Sequence, residues 1–537
     1  MASNNTEFSG PNHGLIVERV REIGKVEIHN IHNNQKRESL PNAQDAPFHA
    51  QWSNPRFCYP GTRLQIQGII HQWIKGDEGH IFWLNGLAGA GKSTIARTIA
   101  QDCSKEGDES LWVTSFFFSW RNADVRDATK FVPSIANQLA TYPKFNDACE
   151  KSSSRYPGIL NLLLKDQWED LVRKPLSKLV TDSTVTLLIV IDALDECQER
   201  RDILAVLDLI RDNTGIGRLR FRFLISSRPE DPISFTDETR QCALQSLPAD
   251  GDIRTFLEGS LTKGKFCPDQ SQIDALVKTA GGLFICAETA CGYIMGGDKK
   301  TDLVSMKKRL NEMLESHRDP KTQKRLDEIY SRVLDSSHCD YHEDSEKLSK
   351  VLIKSIVVLL SPLCLNPFCE LLQTDVEDTR DNIMNKYPAI IDVPKDESSP
   401  LCIHHVCFSE FIFDEKRSGA SGFYVNSNQA HEEMTGHCIR VMRENLKQTL
   451  CDCMNSCVPI TEMEKNIIAS EVQYSCRHWM QHLIQSGNMK SDTEHILSFL
   501  KENFMHWLAV MSIIRRISEA VKAINKLTSF FGTAVSD

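Results

Sequence analysis

The chain has 537 residues, enough for about three or four domains and a sizeable core. Hydrophobic residues make up 41% and charged residues 25%, ordinary values for a globular protein. A net charge of −10, with no long basic run to offset it, argues against general binding to nucleic acid or acidic membranes. No apolar run reaches membrane-spanning length, since residues 356–365 are broken by Pro362. The opening MASNNTEFSG has neither the charged nor the apolar region of a secretory signal. The 18 cysteines therefore read as reduced thiols, and the chain as cytoplasmic.

In chain order, residues 1–50 are rich in Asn, His, Ser and charge, and read as a poorly ordered N-terminal arm. Within it, 15–31 carries a weak signal for a short strand or helix. A turn at Cys58-Tyr-Pro-Gly-Thr-Arg63 leads into a predicted helix over 64–74. Residues 81–84 are apolar and read as a buried strand. Gly86-Leu87-Ala88-Gly89-Ala90-Gly91-Lys92-Ser93 follows and fits G-x4-G-K-[ST] at every required position, with Thr94 opening an apolar helix pattern. The spacing has a physical cause. Glycines let a loop wrap backbone N–H groups around a phosphate, and the helix behind points its positive end at the same anion. Lys92 can reach the β- and γ-phosphates, and the Ser93 hydroxyl can ligate Mg2+. The motif predicts a nucleoside triphosphate site.

Residues 111–119 form a second apolar strand candidate, and helical patterns run over 131–139 and 167–179. The uninterrupted apolar run 186–191 ends at Asp192, as expected of a strand covered on both faces. A helix over 202–210 and a strand over 221–226 come next. Strands alternating with helices predict a doubly wound parallel sheet. Beyond Pro248 the pattern turns helical, at 252–261, 271–278, 283–294, 306–314 and 326–334, with one or two more helices within 352–372. Short mixed elements occupy 390–413. From 429 to 533 the chain again reads as helical, with Trp507, Leu508, Met511, Ile514, Ile517, Val521, Ile524 and Leu527 on one stripe. No repeat of 20–50 residues is visible in that last third.

The phosphate loop needs an acidic partner, and Leu187-Leu-Ile-Val-Ile-Asp192-Ala193-Leu194-Asp195-Glu196 supplies one. Asp192, ending a buried strand, can hold Mg2+ directly or through water. Asp195 and Glu196 stand just beyond, where a carboxylate can orient or deprotonate an attacking water. The other reading is an exposed acidic turn. Phe223-Leu-Ile-Ser-Ser-Arg228-Pro229 ends a further buried strand with a cation. Arg228 can touch a γ-phosphate and so tell triphosphate from diphosphate, or sit solvated at the strand end.

The combination LNGLAGAGKST, LLIVIDALDEC and FLISSRPE resembles the NACHT class of STAND nucleoside triphosphatases in its fungal form. In that class a metal-binding Asp is followed by a small residue and two acids, and Asp192, Ala193, Asp195 and Glu196 match. The likeness runs over roughly 50–530 and takes in Cys58–Arg63, GGLFICAETA, LDEIYSRVL, DVPKDESSP, EVQYSCRHWMQHL and FMHWLAVMSII. It implies an NTPase domain over 51–245, a helical domain over 246–340, a winged-helix-like domain over 341–425 and a helical domain over 426–537. It also implies a histidine that touches the β-phosphate of ADP and latches a closed state. His405-Val-Cys-Phe408-Ser-Glu-Phe411-Ile aligns with the family pattern H-x-S-F-x-x-F-L, with Cys407 where Ser is usual and His404 as the alternative. The other reading of His405 is a satisfied core histidine.

Two departures stand out. Gly282-Leu283-Phe284 lacks the proline that packs on adenine in related switches, which leaves the adenine contacts to Cys58–Arg63. Family members also usually end in WD40, ankyrin or similar repeats, and many begin with an effector domain; neither pattern is present here. That is expected of a natural short form, of a truncated chain, or of a protein taking its sensor from a partner. Cys451-Asp-Cys453-Met-Asn-Ser-Cys457 fits no common zinc spacing, and Cys402, His404, His405 and Cys407 read as packing. The leading expectation is an ATP/ADP- and Mg2+-dependent signalling switch, at most a slow NTPase, that oligomerises with itself when active and serves fungal innate immunity or non-self recognition. ATP is favoured because no guanine-reading N-K-x-D motif appears. The alternatives are a kinase-like metabolic P-loop enzyme and a nucleotide-stabilised scaffold without turnover.

Overall fold

The computed structural model describes residues 43, 45–50, 56–105, 109–120, 122–150, 159–179, 184–229, 232–234, 239–262, 266–296, 302–314, 322–336, 343–392, 399–455, 468–487, 493–517 and 519–525. The readings at 15–31, 393–398, Cys457 and Leu527 fall outside them. So do the side chains of Cys451 and Cys453.

Apolar runs form the sheet. Strands β1 (Ile81–Asn85) and β2 (Leu111–Phe117) are buried at every residue, and β3 (Val185–Asp192) at all but one. A short β4 (Gly215–Ile216) pairs antiparallel with β5 (Leu219–Ser227), and β6 is Arg240–Ala243. The order is β2-β3-β5-β1-β6, with every neighbour on that path parallel. Parallel strands covered on both faces have no need to alternate polar and apolar residues, which is why the runs were legible. β6, reading Arg-Gln-Cys-Ala and half exposed, carries no such run and was not predicted. Its pairing to β1 decides its conformation, not its composition.

Helix faces close the core. Phe116, Phe131, Phe145, Phe221 and Phe223 are essentially fully buried, each contributing about 1.5–3 kcal/mol by leaving water. The predicted helix over 131–139 is present at Phe131–Leu139, behind a one-turn segment that Asp127 caps through Thr129 N–H at 2.9 Å. That predicted over 167–179 is a broken run, with α-turns at Leu164–Trp168 and Lys174–Ser177 on either side of the π-turn Glu169–Arg173. Ala43 and residues 45–50, read from sequence as part of the arm, lie along β2. Ala46 O accepts from Phe117 N–H at 3.1 Å, Ser115 Oγ from Phe48 N–H at 2.8 Å, and Ala43 is buried. Three alanines and a Phe are enough to dock a segment that has no periodicity of its own.

The chain divides into two compact units. The first holds Ser39–Pro362 and Glu377–Val425. After the sheet it continues as helices Asp250–Leu261, Gln270–Ala280, Phe284–Met295, Leu303–Leu314, Thr322–Ser336 and Glu343–Val358. Gln270–Ala280 shows why these boundaries were readable: Asp269 and Gln272 form a capping box, and Gly281 closes the helix at φ 55°. An antiparallel pair, β7 (Ile391–Asp392) and β8 (Cys402–Ile403), then leads to helix Val406–Ile412.

The second unit contains Leu363–Val376 and the helices from Asn426 on. Ser427–Asn455, Ser470–Ser486 and Thr493–Ile513 pack together around Trp479, Trp507 and Phe499. Helix Leu365–Leu372, which the sequence reading keeps inside 341–425, packs here instead: Arg440 Nη2 donates to Glu370 O at 3.0 Å and Leu371 O at 2.9 Å. The apolar stripe holds at Trp507, Met511 and Ile514, which are buried, and runs out at Ile517 and Val521, which are exposed.

Candidate functional site

Register brings the functional residues to one edge. Asn85 pairs with Ser227, Ile225 with Ile191, and Phe117 with Asp192, so the carboxyl ends of β1, β5, β3 and β2 finish in line. Ligands of open α/β sheets bind outside such ends. β5 lies between β1 and β3, which sets Ser226 and Arg228 between the phosphate loop and Asp192.

The loop is held by two glycines at positive φ, Gly89 at 76° and Gly91 at 93°. At Gly89 a Cβ would sit 2.1 Å from Ile285 Cγ2, because helix Phe284–Met295 abuts the loop and Ile285 N–H donates to Gly89 O at 3.2 Å. Lys92 Nζ donates to Gly86 O at 2.8 Å and Leu87 O at 3.0 Å. Burial lowers the affinity of Lys92 for its proton, while Asp195 and Asp192 pull the other way.

Asp192 is 3% exposed. Its carboxylate accepts from the Ser226 hydroxyl and lies within hydrogen-bonding reach of Ser93, with Arg97 as the strongest nearby charge. Burial raises its pKa, and Arg97, Ser226, Ser93 and Lys92 oppose that rise. Ser226 Oγ also accepts from Ala193 N–H at 3.2 Å, and Ala193 takes φ 52° to make that turn. Two hard oxygens side by side, one hydroxyl and one carboxylate, suit Mg2+, which binds few protein ligands and keeps waters and phosphate oxygens. Among the described residues, no three His, Cys, Asp or Glu side chains converge on a common metal position.

Arg228 N–H donates to Asp195 Oδ1 at 3.1 Å, and its Nε approaches Asp195 Oδ2 at 3.3 Å. Its Nη2 donates to Glu410 on helix Val406–Ile412. Burial works against the charge of Arg228, but Glu410 and Asp195 outweigh it and hold its pKa above the usual value. His405 caps that same helix, its Nδ1 accepting from Cys407 N–H at 3.1 Å. His404 instead pairs with Arg56 through Nδ1 and meets Pro388 O at 2.9 Å through Nε2; burial, then Arg56, lowers its pKa. Arg56 also pairs with Glu288.

One cavity of about 360 Å³ lies at this edge; Ser226 and Glu410 do not line it but hold Asp192 and Arg228, which do. Ala88, Gly89, Gly91, Lys92, Ser93 and Thr94 line it, and Gly86, Leu87 and Ala90 shape the loop from behind. Asp192, Asp195, Glu196 and Arg228 line it from the sheet, and His404 and His405 from the far side. Cys58–Arg63 does not. Arg63 stacks at 4.7 Å on Phe284 and donates to Ala90 O at 2.9 Å, so this segment braces the loop. The sequence reading missed Arg97, whose guanidinium lies 4.5 Å from the Phe117 ring beside Asp192, and also Arg56, Ser226 and Glu410. Arg97 and Arg56 carry no local signal, while Ser226 lies within FLISSRPE and Glu410 at an unassigned position of the segment His405–Ile412.

Parallel sheet, phosphate loop, strand-end Asp192 and strand-end Arg228 together define a P-loop NTPase core followed by a mostly helical remainder. Residues 65–228 match the family described as Nephrocystin 3, N-terminal. The chain is also similar to the vegetative incompatibility protein HET-E-1 of Podospora anserina, 23% identical over 526 residues, covering 89% of this chain and 36% of that protein. It thus spans about a third of the length of that curated relative, 36%. Among solved structures, it is similar to a STAND protein with a tetratricopeptide repeat sensor from Pyrococcus horikoshii, at 12% identity and TM-score 0.39, covering 90% of this chain and 60% of that one. A Walker-type ATPase of Pyrococcus abyssi is looser still, at 10% identity and TM-score 0.31, covering 66% and 97%. Similarity to a fungal incompatibility protein over 89% of this chain agrees with the resemblance to the fungal NACHT-class STAND NTPases. Among the described residues, no helix is long and apolar enough to cross a membrane.

Proposed function

We propose that the chain is an ATP/ADP-operated signalling switch serving fungal non-self recognition or innate immunity in the cytoplasm. One observation carries the reading. The cavity at the phosphate loop is walled on one side by the sheet and on the other by Asp392 and residues 401–406, so one ligand would touch both parts of the first unit. A ligand shifts a two-state equilibrium only through its differential affinity for the states, and a site shared between two parts supplies that difference. Residues 51–245 act on this reading as the NTPase domain, 246–340 as a helical domain, 341–425 in the winged-helix role and 426–537 as a further helical domain.

Gly86–Thr94 would cradle the phosphates, with Lys92 toward the β- and γ-phosphates. Ser93 and Asp192 would hold Mg2+, which neutralises charge across those phosphates. Glu196 and Asp195 would orient or deprotonate water, Arg228 would meet the γ-phosphate, and His405 the β-phosphate of ADP. Exchange of ADP for ATP would then favour an open form that joins copies of itself, with slow hydrolysis as the reset. The incompatibility named for the Podospora relative supports the non-self assignment.

The test is the nucleotide released from gently purified, heat-denatured protein, read with the ATPase rate and the size of Glu196→Gln in ATP. Bound ADP, turnover well below the roughly 10 per second of a median enzyme, and larger particles for the variant are expected. Empty protein turning over at ordinary enzyme rates would replace the switch with a metabolic enzyme.

A further inference from the structure

Glu410 stands at an unassigned position of the pattern H-x-S-F-x-x-F-L, yet its carboxylate accepts a hydrogen bond from Arg228 Nη2. Asp195, 9% exposed at its side chain, fixes the inner edge of the same guanidinium through Nε at 3.3 Å. Helix Val406–Ile412 sets where Glu410 stands: Phe408 and Phe411 are buried, with ring centroids 5.2 and 5.4 Å from Tyr330. A guanidinium is a planar fork that grips carboxylate and phosphate in the same way. Glu410 therefore offers Arg228 what a γ-phosphate would offer, a charged group with two or more acceptor oxygens.

Resting on the switch reading above, we propose that Glu410 is a specificity-determining residue that sets the preference between diphosphate and triphosphate. It occupies Arg228 with a carboxylate of the chain itself, and a triphosphate must displace it. A diphosphate leaves the Arg228–Glu410 pair intact. A γ-phosphoryl group competes for the same N–H donors and places negative charge beside Glu410, which like-charge repulsion then drives off. Because Glu410 lies on the helix that His405 caps, the exchange of partners at Arg228 is felt along that helix.

The test uses the full chain freed of nucleotide, titrated with a fluorescent ADP and with a non-hydrolysable ATP analogue, both with Mg2+. Glu410→Gln should raise affinity for the triphosphate relative to ADP about tenfold. Glu410→Asp, which keeps the charge, should stay near the unaltered ratio, and Arg228→Met should abolish the effect of Glu410→Gln in the double variant. In the unaltered protein, hydrogen exchange over Val406–Ile412 should be faster with the triphosphate analogue than with ADP, a readout independent of how any variant folds. A folded Glu410→Gln with an unmoved ratio, or equal exchange in the two complexes, overturns the proposal alone. Binding of neither nucleotide overturns it together with the nucleotide reading.

Discussion

Gly89 concentrates two constraints in one residue. Its φ of 76° is a region that L side chains avoid, and a Cβ there would lie 2.1 Å from Ile285 Cγ2. Gly89→Ala should destabilise the first unit by about 2–3 kcal/mol, combining left-handed strain with the shift of a packed helix start. Thermal unfolding checks the magnitude, and loss of nucleotide binding should accompany it; an unmoved melting temperature would show that Ile285 gives way freely. Ala193 is the opposite case, at φ 52° without being glycine. Ala193→Gly should stabilise by up to about 1 kcal/mol, as the Cβ strain disappears against a small entropic cost. At this scale the sequence showed the loop, Asp192 and Arg228, because each sits in a run of neighbours that announces it. Arg97 and Glu410 were invisible for a plain reason. Glu410 meets an arginine 182 positions away, and only the folded chain puts the two together.

The element that matters most is β5, threaded between the loop strand and the acid strand. Its Ser226, 0% exposed, ties Asp192 to the turn at Ala193 and so fixes the carboxylate that would meet Mg2+. Ser226→Ala removes a hydrogen bond to a buried charged group, a loss of about 1.5–3 kcal/mol. Nucleotide affinity measured against Mg2+ concentration should then need about tenfold more Mg2+, while binding without the metal is unchanged. An equal loss with and without Mg2+ would mean that Ser226 supports the sheet and not the carboxylate. Strands such as β3 and β5 were legible as apolar runs, and their order was not. Helices were legible through period and caps, as at Asp269–Gln272, whereas β6 and the docking of residues 45–50 depend on partners far along the chain.

The second unit, Leu363–Val376 with the helices from Asn426 on, has its own chemistry. His431 Nδ1 meets His482 Nδ1 at 2.8 Å, and His482 Nε2 meets the Tyr474 hydroxyl at 2.8 Å, all three side chains buried between helices Ser427–Asn455 and Ser470–Ser486. Two adjacent imidazoles share one hydrogen bond only if at least one is neutral. Burial lowers the pKa of His431 to about 4, and burial together with His431 lowers that of His482 well below the ordinary value. In the unfolded chain both would titrate near 6.5. Above that pH, folded and unfolded states hold equal protons and these groups leave stability flat. As pH falls below 6.5, the unfolded chain takes up protons that the folded unit refuses, so stability drains away down to about pH 4 for His431 and further for His482. The His431 share alone is on the order of 3 kcal/mol by pH 4. The protection of Ser470–Ser486 from hydrogen exchange, taken relative to the intrinsic exchange rate at each pH, should fall across this window at constant temperature, and His431→Asn, which bonds but does not titrate, should shrink that fall by about the same amount. Protection that stays level from pH 6.5 to 4.5 would mean that the pair is charged and compensated within the fold, and the neutral-pair account of this core would fall.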